Sequence, residues 1–166
     1  MPTTAADVVE IVHLLTGVGA SPRLSGGWGV DALHGQQTRE HRDVDLAVDA
    51  GRLDACVETL QRNGFVVTTD WLPVRVELSD HVGDRHVDLH PLHFAADGSA
   101  WQAGLDDSRF DYPADAWCAG SVGGTQVHCL SARMQRAFHA GYELRDVDRH
   151  DLRLLEDASA SGGQAP

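Results

Sequence analysis

Basic residues are scarce: 13 lysines and arginines stand against 25 aspartates and glutamates, which leaves a formal charge of −12. Binding along a nucleic-acid backbone needs a basic face, and no stretch supplies one, so nucleic acid is excluded as the main partner and a small cationic ligand is favoured. Cysteine is scarce too. Cys56, Cys118 and Cys129 are odd in number and far apart, which excludes a disulfide framework or a cysteine-built zinc site and predicts reduced thiols in the cytoplasm. No apolar run reaches the length of a bilayer span, and Met1-Pro2-Thr3-Thr4 is not a basic region leading into an apolar one. Neither a membrane anchor nor a secretory leader is expected. No internal repeat is present. What remains, with 42% hydrophobic and 23% charged residues, is the composition of a globular protein long enough to bury a core. One domain is expected over residues 1–157, followed by a small, polar, disordered tail over 158–166.

Local patterns predict alternating helices and strands. Thr4-Ala5-Ala6-Asp7 has the form of a capping box, and Val8, Val9, Val12 and Leu15 then recur at helical spacing until Gly17 and Gly19. A short helix is expected from Trp28 to Leu33, stopped by Gly35, and another around Leu53, Val57 and Leu60, ended by Asn63-Gly64. Strands are read at residues 43–48, 65–67, 74–78, 86–90 and 125–130, with Val82-Gly83-Asp84 as a turn. Residues 93–124 read as loops and short strands. Ser131 caps a helix through Met134, Phe138 and Gly141, and a last helix spans residues 148–155. Without strict strand–helix–strand repetition, these elements predict an α+β fold, a mixed β-sheet flanked by helices.

The chemistry concentrates in two adjoining stretches. Ser25-Gly26-Gly27 opens the short helix, and side-chain-free backbone at a helix N-terminus is where a phosphate is best received. Asp43 and Asp45 then alternate with Val44, Leu46 and Val48, so that in a strand both carboxylates share one face while the apolar side chains enter the core. In the run His86-Val87-Asp88-Leu89-His90 the polar residues again share a face, as do Arg75 and Glu77 in the preceding strand. If that hairpin sits beside the Asp43 strand, Asp88 joins the carboxylate pair. A phosphate cradle beside converging acids is the pattern of metal-dependent nucleotidyl transfer.

Gly-Gly, then Asp-x-Asp on a strand, then a third acid on a later strand resembles the nucleotidyltransferase superfamily that shares its fold with DNA polymerase β. Gly26-Gly27-Trp28-Gly29-Val30-Asp31, Arg39-Glu40-His41-Arg42-Asp43-Val44-Asp45, Trp71-Leu72-Pro73-Val74-Arg75-Val76-Glu77-Leu78, Val87-Asp88-Leu89-His90-Pro91 and Phe138-His139-Ala140-Gly141-Tyr142 resemble the small single-domain lincosamide nucleotidyltransferases. The aminoglycoside 2''-adenylyltransferases are similar at fewer of these segments. The resemblance implies transfer of AMP from ATP to a hydroxyl of a lincosamide antibiotic, with release of pyrophosphate. It implies Asp43 and Asp45 as Mg²⁺ ligands and Asp88 as the third carboxylate, acting as ligand, as base for the attacking hydroxyl, or as both, with Glu77 the alternative base. It implies further that Ser25, Gly26, Gly27, Arg39 and Arg42 lie along the nucleotide, and that Trp71, Arg75, Glu77, His90 and Tyr142 contribute to the acceptor pocket. Trp28 stands where the wider superfamily has a serine, so no hydroxyl contact to phosphate comes from that position.

Other readings compete with these. His86, Asp88, His90 and His93 could form a zinc site on one strand face. Asp31 is expected to hold a neighbouring arginine or backbone amide, and Trp71, His139 and Tyr142 are at their simplest packing residues. The acceptor could instead be an aminoglycoside, or the chain a non-catalytic nucleotide-binding or antitoxin-like module. A chain this small could complete its acceptor pocket as a homodimer.

Overall fold

The computed structural model describes residues 2–80, 85–140 and 143–161. Helix α1 (Ala5–Gly17) begins at the expected capping box, where Thr4 accepts from the Asp7 N–H and the Asp7 carboxylate accepts from the Thr4 N–H. Strand β1 (Arg23–Leu24) leads into α2 (Gly26–His34), which starts at the paired glycines, two residues before the expected Trp28, and stops at Gly35. Strand β2 (Asp43–Asp49), helix α3 (Leu53–Arg62) and strands β3 (Phe65–Trp71), β4 (Arg75–Asp80) and β5 (His86–Phe94) follow. Residues 93–124, read as loops and short strands, hold strands β6 (Ala100–Ala103), β7 (Arg109–Tyr112) and the longer β8 (Trp117–Val122). Strand β9 (Thr125–Leu130), α4 (Ala132–Phe138) and α5 (Asp146–Ser161) complete the chain. Helix α5 thus takes in residues 158–161 of the expected tail. The expected turn at Val82-Gly83-Asp84 and the helix end at Gly141 lie outside the described residues.

The main sheet runs in the order β3-β4-β5-β2-β1-β9-β8, with β6 and β7 continuing outward from β5. Its β2–β5 and β1–β9 pairs are parallel and the rest antiparallel, which makes it mixed, as expected. The period of two decides what each face does. Val44, Leu46 and Val48 of β2, Val76 and Leu78 of β4, and Val87 and Leu89 of β5 enter a core closed by Ile11 and Leu15 of α1, Trp28 of α2 and Leu60 of α3. Each such fully buried side chain contributes about 1.5–3 kcal/mol. The alternate residues emerge on the opposite face, where Ala47, Leu92, Tyr112, Leu130 and Met134 build a smaller core. The acids of β2, β4 and β5 therefore stand at the border of that second core. Among the described residues no helix is long and apolar enough to cross a membrane.

Candidate active site

Strand pairing assembles a row of carboxylates. The parallel register of β2 with β5 sets Asp45 opposite Asp88, and the antiparallel register of β4 with β5 sets Glu77 opposite Asp88. Like charges facing one another across strands repel, and two cationic or donor groups are wedged among them. The Arg75 guanidinium lies 2.6 Å from Glu77 and 3.0 Å from Asp88, and the His90 ring is 3.1 Å from the Asp45 carboxylate. Burial, and then the charges of Asp45 and Glu77, outweigh His90 and Arg75 and push the Asp88 carboxyl up to about 6. Ligand atoms of Asp45, Asp88 and His90 lie within 4.8 Å of one another. Asp43 shares the face of Asp45 two residues earlier, opposite His86 in the register, and its carboxylate faces the exposed Arg42 at 3.6 Å.

The glycine stretch comes directly against this row. The Ser25 N–H donates to the Asp45 carbonyl at 3.0 Å. Gly26 turns through a φ of 57°, and a Cβ there would overlap the Asp45 carboxylate, so glycine is required both for conformation and for the close approach. Gly27 has the Arg39 guanidinium and the His41 ring where a side chain would go. The last two helices hold this stretch and the Thr38–Arg39 segment beside it. Gln135 of α4 donates to the Gly26 carbonyl at 3.3 Å, Asp151 of α5 takes two hydrogen bonds from Arg39 at 2.9 and 2.8 Å, and His150 pairs with Thr38 at 3.0 Å.

A cavity of about 750 Å³ opens above Asp45. Ser25, Gly26, Gly27, Arg39, Arg42, Asp43 and Asp45 form its polar wall, and Ala47, Phe110, Tyr112, Leu130 and Phe138 its apolar one. His90 and His139 line it too. Asp88, Glu77, Arg75 and Trp71 continue the row beyond Asp45 toward the sheet edge. Trp71 is no packing residue: it is 54% exposed, with its ring centroid 4.7 Å from the Arg75 guanidinium carbon. Tyr142 lies outside the described residues.

Asp31 is structural and holds a backbone amide, as expected, with a hydroxyl and a histidine in place of an arginine. It accepts from the Thr38 N–H and hydroxyl and from buried His41. Burial raises its carboxyl, and these hydrogen bonds outweigh burial and keep it below the ordinary carboxylate range. The four-residue zinc alternative fails on parity: His93 is an odd number of residues from His90, points from the other face of β5, and stacks on Trp101 at 4.1 Å. Gln102, Tyr112 and Asp151 also frame the site, and sequence reading passed over all three. A lone glutamine or tyrosine in a short strand carries no periodic signal, and Asp151 meets Arg39 across 112 positions.

The description of one protein family, aminoglycoside-2''-adenylyltransferase, fits residues 7–155. The chain belongs to this family. The adenylyltransferase is 32% identical over 153 residues to a lincosamide resistance protein of Staphylococcus haemolyticus, covering 92% of this chain and 94% of that one. It superposes on the lincomycin-bound crystal structure of the lincosamide antibiotic adenylyltransferase LnuA with a TM-score of 0.87 and 30% identity, over 95% of this chain and 99% of that one. The crystal structure of ANT(2'')-Ia with adenylyl-2''-tobramycin, 20% identical, gives a TM-score of 0.69 over 96% of this chain and 89% of that one and shares the fold. The expected enzyme class and the nucleotidyltransferase fold are thereby met.

Proposed function

We propose that this adenylyltransferase transfers AMP from ATP to a hydroxyl of a lincosamide and thereby confers resistance. The observation that carries the reading is the opposition of Asp45 and Asp88 on adjacent strands, with the Gly26 backbone pressed against the first of them. The 32% identity to a lincosamide resistance protein supports the acceptor class.

The donor set suits Mg²⁺. Carboxylate oxygens are hard ligands, and burial together with repulsion from Asp45 and Glu77 already raises Asp88, a strain whose repulsive part a divalent cation would relieve. Asp43, Asp45 and Asp88 would hold the ion, which when bound supplies charge stabilisation to the phosphates during displacement at the α-phosphorus. The chain's own residues account for the remaining requirements. Backbone N–H groups at the start of α2 receive phosphate oxygens, with Ser25, Gly26 and Gly27 along the triphosphate. Arg39, fixed by Asp151, and the exposed Arg42 balance its charge. The acceptor hydroxyl attacks the α-phosphorus, the bond from that phosphorus to the bridging oxygen breaks, and pyrophosphate leaves. Asp88 takes the hydroxyl proton. A carboxylate placed beside the attacking hydroxyl is worth about 10²–10⁴-fold as its base. Glu77, Arg75, Trp71 and His90 flank the position from which the acceptor would approach.

Incubation with ATP, Mg²⁺ and lincomycin should yield a product heavier by one AMP in the mass spectrum. Absence of that product rejects the lincosamide. A tobramycin arm tests the second reading, an aminoglycoside acceptor, which the family match over residues 7–155 and the charge of −12 favour. Both acceptors are small molecules met in the cytoplasm, where ATP is available. No AMP-bearing product from ATP with either acceptor would revive the non-catalytic module.

A further inference from the structure

We propose that Gln102 is a positioning residue that fixes His90 as a proton donor to Asp45 and so keeps its ring nitrogen out of the metal's ligand set. The backbone carbonyl of Val74 can only accept, and the Gln102 side-chain nitrogen lies 3.3 Å from it, so the amide must present its NH₂ on that side. The same nitrogen lies 3.4 Å from Nδ1 of His90. Its second hydrogen therefore meets a ring nitrogen that must carry a lone pair, which leaves the ring proton on Nε2. That proton points at Oδ1 of Asp45, 3.1 Å away. At the other end of the amide the Tyr112 hydroxyl donates to the Gln102 oxygen at 2.7 Å, which satisfies the acceptor and opposes any flip. Gln102 and Tyr112 are buried, at 8% and 5% exposure, so water competes little for these bonds.

The consequence concerns His90 itself. Its place with Asp45 and Asp88 would permit a three-ligand site with nitrogen and oxygen donors, a set that suits zinc. With its proton on Nε2, the ring offers Asp45 a hydrogen bond and offers an ion nothing. The site is left to carboxylate oxygens, and Asp45 is oriented with Oδ1 engaged by His90 and Oδ2 turned toward Gly26. The assignment of the proton stands on geometry alone. Its meaning for metal choice rests on the adenylyltransferase reading above.

The test is the ring's protonation pattern in the metal-free, ¹⁵N-labelled protein at neutral pH, read from long-range ¹H–¹⁵N correlations, with His90 assigned by its loss in His90→Gln. The wild type should show Nε2–H. Gln102→Leu should raise the Nδ1–H population about tenfold or more, with a smaller change of the same sign in Tyr112→Phe, which carries the test if the leucine variant fails to fold. An Nδ1–H ring in the wild type, or a pattern that neither variant moves, overturns the proposal. Gln102→Glu, whose carboxylate accepts from Nδ1–H, should free Nε2 and tighten Zn²⁺ binding by about 10–100-fold in equilibrium dialysis. That gain should vanish when His90→Gln is added. Zinc affinity unchanged by Gln102→Glu overturns the claim of ligand exclusion. A failed adenylylation assay with the predicted ring pattern intact would instead reject only the functional reading.

Discussion

Replacing Asp88 by asparagine should make the metal-free protein more stable while removing its chemistry. The Asp88 carboxyl titrates at about 6 in the fold and at about 3.9 in an unfolded chain. A carboxyl raised in this way binds its proton more tightly when folded. Its favourable contribution is therefore complete below about pH 4 and is lost as the pH rises through about 6. A gap of about 2 pH units is worth about 3 kcal/mol at most. The side chain keeps 12% exposure beside an open cavity, so solvent screening reduces this to about 1–2 kcal/mol. Asparagine mimics the protonated acid at every pH, and Arg75 keeps Glu77 as a partner at 2.6 Å. Thermal melts with a chelator present should show Asp88→Asn about 3–6 °C above wild type at pH 8 and level with it at pH 4. Lincomycin adenylylation should fall about 10²–10⁴-fold. Added Mg²⁺ should raise the wild-type midpoint more than that of the variant. An asparagine variant that melts below wild type at pH 8, or an offset that does not change with pH, would refute the reasoning.

Four further outcomes follow from neighbouring contacts. Gly26→Ala forces a φ of 57° on an L-residue and drives its Cβ into Asp45; a loss of about 1–3 kcal/mol by denaturant melt is expected, with activity reduced more than the stability loss explains. Arg39→Ala strands the Asp151 carboxylate, whose side chain is 4% exposed, and should cost about 3 kcal/mol. Arg42→Ala, at a side chain 85% exposed, should leave stability within about 0.5 kcal/mol and raise the KM for ATP. Glu77→Gln removes one of the charges that raise Asp88. It should move the acid limb of the pH–rate profile to lower pH, and an unmoved limb would show that Asp88 is not the titrating base.

The faces of the strands were legible because alternation is local: Val44, Leu46 and Val48 could only be interior if Asp43 and Asp45 were not. The meeting of Asp45 with Asp88 was conditional, since a parallel pairing of β2 with β5 is decided by the whole sheet rather than by either segment. Strand β8 was expected only as one of the unplaced short strands of residues 93–124, because Trp117-Cys118-Ala119-Gly120-Ser121-Val122 does not alternate. Gly120 there lies where a side chain would strike the Ala32 carbonyl of α2, a demand set by a distant helix. The tie from Asp151 to Arg39, and the amide of Gln102 between Val74, His90 and Tyr112, are likewise contacts of the folded chain. Nothing in their immediate neighbours announces them.

The glycine turn is braced by Gln135 of α4, and the Thr38–Arg39 segment beside it by His150 and Asp151 of α5, which makes the C-terminal helices a latch on the loop proposed to meet the triphosphate. A compound that wedged α5 away from Thr38 and Arg39 would slacken that loop without occupying either substrate's place. Such an inhibitor would compete with neither ATP nor antibiotic, and rising concentrations of either would not displace it by simple competition.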